Sequence, residues 1–189
     1  MAQSKGGSVA EQPSLQTRGL TLRPFRPSDA PYVQKLAGER EIADTTANIP
    51  HPYWDGLAEE WIASHDKRLR AGESVVFAVT SSADGELQGA IGLEIAAQEI
   101  SAEMGYWIGR PFWNRGVCTQ AARAVLRYGF EELGLVRIQA RHFLRNPASC
   151  RVMNKIGMAV EGRLPEPFLK WGQPETIEMH AILKEEFVP

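Results

Sequence analysis

Two cysteines in 189 residues, with no CxxC pair, leave nothing from which a disulfide framework or a zinc knuckle could be built. Cys118 and Cys150 as lone thiols fit a reducing compartment, so a cytoplasmic location is expected. No metal site is expected from the spacing of Cys and His. No apolar run approaches the roughly 20 residues of a transmembrane helix, and the opening stretch MAQSKGGSVAEQPSLQ has no apolar h-region of a secretory signal. No membrane partner follows. Charge of one sign is scarce as well: 21 Lys and Arg against 23 Asp and Glu give a net charge of −2. That leaves no global field for nucleic acid or an anionic surface. The chain also lacks the Gly-Lys-Ser/Thr of a P-loop and a GxGxxG fingerprint. With no second βαβ half, a nucleotide-binding oxidoreductase ranks far behind.

What is present is an ordinary globular composition, 43% apolar and 23% charged, in a chain long enough for one domain with a real core. The Gly, Ser and Gln of residues 1–16 read as a disordered tail or a remnant of expression, ahead of a domain over 17–186. Residues 17–25 alternate as a half-buried strand. Ser28 or Asp29 is placed to cap a helix over 30–40. Residues 42–54, punctuated by Pro50 and Pro52, read as a loop. Asp55 then caps a second helix over 56–71, stopped by Gly72.

Strands follow at 74–81, 86–97 and 101–109, the first two joined by a turn at Asp84-Gly85. The clearest helix is 117–133, where Val117, Ala121, Ala122, Val125, Leu126, Phe130 and Leu133 form one apolar stripe. A strand at 136–144 precedes a short helix opened by Asn146-Pro147 and ended by Gly157. Strands at 158–164 and 176–186 close the domain. The order β-α-α-β-β-β-α-β-α-β-β implies an α/β or α+β domain, a mixed sheet flanked by helices. The crossover from 101 to 144 places a parallel strand pair at its centre.

The stretch FWNRGVCTQAA (112–122) carries most of the chemistry. A helix N-terminus has unpaired N–H groups and a partial positive charge. Gly116 lets the main chain approach a ligand, and Arg115 and Thr119 add donors. The residues alone leave two readings open: an anion cradle, or a tight corner in which Thr119 merely caps the helix.

Residues 102–158, from AEMGYWIG through WNRGVCT to NPASCRVMNKIGM, resemble the core of the GNAT superfamily of N-acetyltransferases, and most closely its RimJ/RimL ribosomal-protein type. The shared features are the GYW strand, the W-x-R/K-G loop and the N-x-x-S element before K-x-G-M. IPHPYWDGLAEEWI (49–62) is similar to the substrate-side helices of that type. The resemblance spans about 17–186. It implies a single domain with a mostly antiparallel mixed sheet of six to seven strands, about four helices, and a splayed parallel pair at an acetyl-CoA site. It implies acetyl-CoA as co-substrate and direct transfer of the acetyl group to a primary amine. A protein N-terminal α-amine is the acceptor of the RimJ/RimL type. A small-molecule amine or antibiotic, or a non-catalytic acyl-CoA-binding module, stands as the alternative, and both monomer and homodimer remain open.

By the same resemblance, the amides of Arg115, Gly116, Val117, Cys118 and Thr119 hold the pyrophosphate. Trp113 and Cys118 depart from the pattern Q/R-x-x-G-x-G/A, Cys118 standing where Gly or Ala is usual. Trp107 and Ile108 pair with pantetheine, the Trp107 N–H polarising the thioester carbonyl. Asn146 and Ser149 contact the pantetheine arm and sulfur. Glu103 deprotonates the amine through water, and Ser149 protonates the leaving thiolate. Burial of Glu103 near the Gly105-Tyr106-Trp107 wall is expected. The competing reading of Glu103 is a strand carboxylate paired with a neighbouring cation, and that of Ser149 a first-turn helix residue. Tyr106 is a spare acid or a core aromatic. His142 and His180 read as packing or surface residues, His51 and His65 as solvated, and Glu59-Glu60 as a solvated helix face. Acceptor selection is assigned to 28–71 and to the loop around 165–175, with Trp54, Trp61 and Trp171 as core or slot residues.

Overall fold

Alternating apolar positions become an eight-stranded mixed sheet in the computed structural model, which describes residues 11–96 and 100–188. In chain order the elements are β1 (Leu15–Gln16), β2 (Leu20–Arg23), α1 (Ala30–Ala37), α2 (Arg40–Thr45), α3 (Leu57–Arg70), β3 (Ser74–Ser81), β4 (Leu87–Ile95) and β5 (Ser101–Ile108). They continue with α4 (Val117–Glu131), β6 (Arg137–Phe143), α5 (Pro147–Lys155), β7 (Ala159–Arg163), β8 (Phe168–Lys170), β9 (Gln173–Glu175) and β10 (Ile177–Leu183). The sheet runs β1-β2-β3-β4-β5-β6-β10-β7, and β8 and β9 form a separate ribbon. Among the described residues only β5 and β6 pair in parallel.

The mixed sheet and central parallel pair are as expected; the strand and helix counts are higher. The strand β1 lies inside the stretch assigned to a tail, and two residues cannot show alternation. The tail itself at 1–10, and residue 97 of the expected third strand, lie outside the described residues. The helix α2 overlaps the start of the expected loop. At six residues it is too short for periodicity, and it is anchored instead by burying Ile42 and Ala43.

Both expected caps are corrected. Asp29 turns its carboxylate back to the Arg26 N–H (2.8 Å) and accepts two bonds from Arg23 (2.7 and 2.9 Å), so it caps no α1 amide. Burial alone would raise its pKa, but the Arg23 guanidinium and the Arg26 amide outweigh it and hold the carboxyl below its ordinary value. The N-cap of α3 is Gly56 at φ 88°, while Asp55 accepts from Gln34 Nε2 at 2.6 Å.

The α4 stripe packs onto the sheet with Val125, Leu126 and Phe130 essentially fully buried, each contributing roughly 1.5–3 kcal/mol. The helix lies so close that a Cβ on Gly129 would come within 2.7 Å of Ile138 Cδ1. On the opposite face α1 packs against β4 and α3 against β3. The sheet thus has α4 behind it and the N-terminal helices in front.

Candidate active site

The strands β5 and β6 pair only at Ser101↔Arg137, Ala102↔Ile138 and Glu103↔Gln139. Beyond that, β5 continues along β4 to Ile108↔Gly89, and β6 continues along β10. The sheet therefore parts at its centre, leaving the β5 edge from Met104 to Ile108 open. A cleft of about 900 Å³ lies there, reaching the α4 N-terminus on one side and α2, the following loop and α3 on the other. Of the expected site residues, Glu103, Trp107, Ile108, Gly116, Val117, Cys118, Thr119, Asn146 and Ser149 line it. The Arg115 side chain does not.

The loop into α4 is shaped by two left-handed residues, Asn114 (φ 60°) and Gly116 (φ 78°). Trp113 Nε1–H donates to Ile108 O at 2.6 Å, tying the loop to the end of β5. The first helical bond is Gln120 N–H to Gly116 O at 3.0 Å, and no side chain caps the helix. The capping role expected of Thr119 in the corner reading is therefore not realised. The N–H groups of Val117, Cys118 and Thr119 have no intrahelical acceptor, and they sit where the helix dipole is positive. Arg151 and Lys155 of α5 also line the cleft. Such an end suits an anion. Cys118, the departure from the family pattern, points its thiol inward, where burial pushes the pKa up to about 12. It stays a protonated packing group, and the main chain at the helix end is undisturbed.

Asn146 Oδ1 accepts the Ser149 N–H at 3.2 Å and so caps α5. That fixes Ser149 with its hydroxyl 2.7 Å from Tyr106 OH. Burial drives the Tyr106 pKa up, and the Ser149 bond lowers it by less; the phenol keeps its proton. Ser149 is thus both a first-turn residue and one end of a Ser–Tyr hydroxyl pair. The sequence held both residues but not their contact, which needs the distance between two elements far apart in the chain.

Glu103 is not buried against the aromatic wall. Its carboxylate lies 2.8 Å from Arg141 Nε, with 29% of the side chain exposed. Arg141, two residues past the Gln139 partner of Glu103, lines the cleft too. Only the parallel register reveals it. The opposing position on β4 is Glu94, paired to Arg68 of α3.

The acceptor side is built from side chains. Ile42, Thr45, Thr46, Asn48, Tyr53, Trp54 and Trp61 line it. Residues 165–175 do not, contrary to expectation. Lys170 of β8 instead donates to Ala47 O (3.4 Å) and Ile49 O (3.2 Å), holding the wall from behind. Arg145 bridges Asp44 (2.9 Å) and Glu175 (2.6 Å), and Arg110 reaches Glu41 (2.7 Å). Trp171 lies between the cations of Arg40 and Lys170 and off the cleft. His65 is half-buried between Phe25 and Trp61 rather than solvated, and burial, with Arg68 nearby, lowers its pKa to about 4. His51 bonds Gly38 O, and Glu59 and Glu60 are exposed.

One further group was not legible in the spacing of Cys and His. His142, Cys150, Glu178 and His180 bring one ligand atom each within 4.8 Å of one another. Among the described residues no helix is long and apolar enough to cross a membrane.

A family model for the acetyltransferase (GNAT) domain matches residues 19–159. The uncharacterized N-acetyltransferase p20 of Bacillus licheniformis is 28% identical over 92% of this chain and 98% of its own length. The spermidine N(1)-acetyltransferase of Escherichia coli is 26% identical over 89% of this chain and 88% of its own. Among solved structures, the ribosomal-protein α-N-acetyltransferase RimL in complex with coenzyme A superposes with a TM-score of 0.83. It covers 90% of this chain and 98% of that one at 16% identity, a likeness of fold.

Proposed function

This chain belongs to the GNAT acetyltransferase family, and on that premise we propose that it transfers the acetyl group of acetyl-CoA to the α-amine of a protein or peptide N-terminus. The observation that carries the reading is the open β5 edge meeting an uncapped helix end in a single cleft. The amides of Arg115 through Thr119 take the pyrophosphate, and pantetheine lies along β5 as an added strand beside Trp107 and Ile108. The Trp107 N–H polarises the thioester carbonyl. Glu103, oriented by Arg141, takes a proton from the amine through a water. The amine nitrogen then bonds to the carbonyl carbon, and the carbon–sulfur bond breaks. The departing thiolate takes the Ser149 hydroxyl proton, which water from the cleft restores, while Tyr106 keeps its own proton and holds the serine hydroxyl by a hydrogen bond. Asn146 positions Ser149. The chemistry needs no metal.

An α-amine is favoured over a polyamine by the charges of the cleft. A polycation seeks unpaired carboxylates, yet Glu94 and Glu103 each already hold an arginine. The remaining acceptor wall is aromatic and hydroxylic, which suits one cationic or neutral amine on a peptide. The RimJ/RimL type fits this better than the spermidine type, whose E. coli member is among the relatives.

The test is acetyl-CoA turnover against a panel of peptides with free or blocked N-termini, free lysine and spermidine, with products identified by mass. One acetyl group on the free α-amine is expected. Acetylation of spermidine or lysine alone sinks the acceptor assignment. Absence of thermal stabilisation at acetyl-CoA far above micromolar levels sinks the cofactor assignment.

A further inference from the structure

Behind the Ser149 turn lies a group of side chains that acetyl transfer does not use. His142 of β6 and Glu178 of β10 are directly opposed in the antiparallel ladder, and His180 sits two positions along on the same face. Cys150, next to Ser149 on α5, closes the set from above. His142 Nε2 and His180 Nε2 are 3.2 Å apart, and Glu178 Oε2 lies 3.5 and 3.7 Å from them. Two nitrogens bound roughly 2.0–2.1 Å from one tetrahedral ion stand roughly 3.3–3.4 Å from each other. The two rings and the carboxylate are therefore already at ligand spacing. Cys150 Sγ is within 4.8 Å of all three, so closure asks the thiol to move in by about an ångström.

Hydrogen bonding sets the tautomer. His142 Nδ1–H donates to Phe143 O at 2.8 Å, which leaves a lone pair on Nε2, aimed at His180. His180 is fully buried. Among the described residues no hydrogen bond reaches its buried Nδ1. A second inward lone pair, with Nδ1–H turned to the main chain, is the arrangement of metal-ligating histidines. A dication with one thiolate, one carboxylate and two neutral imidazoles also sums to zero charge, which suits a buried position. Arg163, 3.5 Å from the other Glu178 oxygen, holds the carboxylate in place.

We propose that His142, His180, Glu178 and Cys150 form a tetrahedral site for a borderline-soft divalent metal, zinc foremost. The mixed nitrogen, sulfur and oxygen donors suit zinc or cobalt rather than magnesium or calcium. The site is independent of the acetyl-transfer reading and takes no part in the chemistry. Its ligand Cys150 neighbours Ser149, so an ion there clamps the first turn of α5.

The test is titration of the full chain, reduced with a phosphine, with Co²⁺ followed by optical absorption. One equivalent is expected to bind with the intense visible bands of tetrahedral cobalt and a near-ultraviolet thiolate-to-cobalt charge-transfer band. Zn²⁺ should displace it. Cys150→Ser should lose the charge-transfer band and weaken binding at least about tenfold, as should Glu178→Gln for affinity. Both residues are part-exposed, so these variants are expected to fold, with thermal unfolding as the check. A wild-type spectrum lacking either feature, or one unchanged in Cys150→Ser, overturns the site.

Discussion

Along the cofactor wall, from β5 through α4 to α5, the working groups are mostly main chain: an unpaired strand edge, two left-handed residues and the bare amides of a helix end. Along the acceptor wall, from α2 through the following loop to α3, they are side chains held by Arg110, Arg145 and Lys170 reaching across from the other half. A site made of backbone depends on conformation, so few residue types satisfy it. A site made of side chains on short elements can change its lining without changing the fold. On the proposed function, the first wall holds the cofactor and the second selects the acceptor.

The sharpest way to break this contrast is at Gly116. Its φ of 78° is closed to β-branched residues, yet a Cβ there would meet nothing nearer than 3.8 Å. Gly134, at φ 69° and with nothing within 4 Å of such a Cβ, serves as the control. Valine at either site should destabilise by about 1–2 kcal/mol or somewhat more. Only Gly116→Val should also weaken CoA binding, by about a hundredfold or more, because it alone aims the α4 amides. Calorimetric titration with CoA, alongside thermal unfolding, separates the two effects. Equal CoA affinity in both variants would return the loop to a mere corner.

The next largest effect belongs to the acceptor wall and is read by pH. Burial and the nearby Arg68 hold the His65 pKa at about 4 in the fold, against an ordinary value of 6.5. Between those values the unfolded chain binds more protons, so stability falls as pH drops from 7 towards 4 and levels off below. The loss should be on the order of 2–3 kcal/mol. His65→Phe keeps a ring between Phe25 and Trp61 and removes two nitrogens that lack hydrogen bonds. Denaturant unfolding at pH 7 and pH 4.5 should show the difference shrink in the variant. An undiminished slope would place the pH sensitivity elsewhere.

Back on the cofactor wall, Tyr106→Phe removes only the hydroxyl that faces Ser149. We expect kcat to fall about tenfold and the KM for acetyl-CoA to hold within about twofold, the pattern of a group used in the transition state. Ser149→Ala should behave alike. The double variant should be no worse than the poorer single, since the two hydroxyls act as a unit. Additive losses would mean that they act separately.

These variants also mark what sequence could convey. The α4 stripe, the strand alternation and Gly116 were legible because each is local: periodicity, burial and backbone conformation are written within a few residues. That Glu103 pairs with a cation was its competing reading and is what the structure shows, but Arg141 as the partner, the Tyr106–Ser149 contact and the His142–His180 cluster were not legible, because each depends on how elements from distant parts of the chain are brought together. Leu15–Gln16 and α2 failed for another reason: they are too short for any period, and tertiary contacts decide them. Asp29 and Asp55 had the right chemistry for caps but found stronger partners in Arg23 and Gln34. Trp171 was aromatic and lay in the loop expected to select the acceptor, yet that loop stands off the cleft and the ring packs against Arg40 and Lys170.

The smallest expected effect tests whether the straps matter to selectivity. Arg145 joins Asp44, at the end of α2, to Glu175 on β9, and its cation sits 5.4 Å from the Phe143 ring. With 38% of its side chain exposed, its loss to alanine should cost under about 1 kcal/mol of stability. CoA affinity should not move, because no strap touches the β5 edge or the α4 amides. The KM for the acceptor should rise a few-fold, as Thr45 and Thr46 lose the contact that sets their place. Lysine cannot span two carboxylates with a planar fork, so Arg145→Lys should recover charge but not the acceptor KM. Recovery by lysine would mean that charge at this point, and not the bridge, shapes the wall.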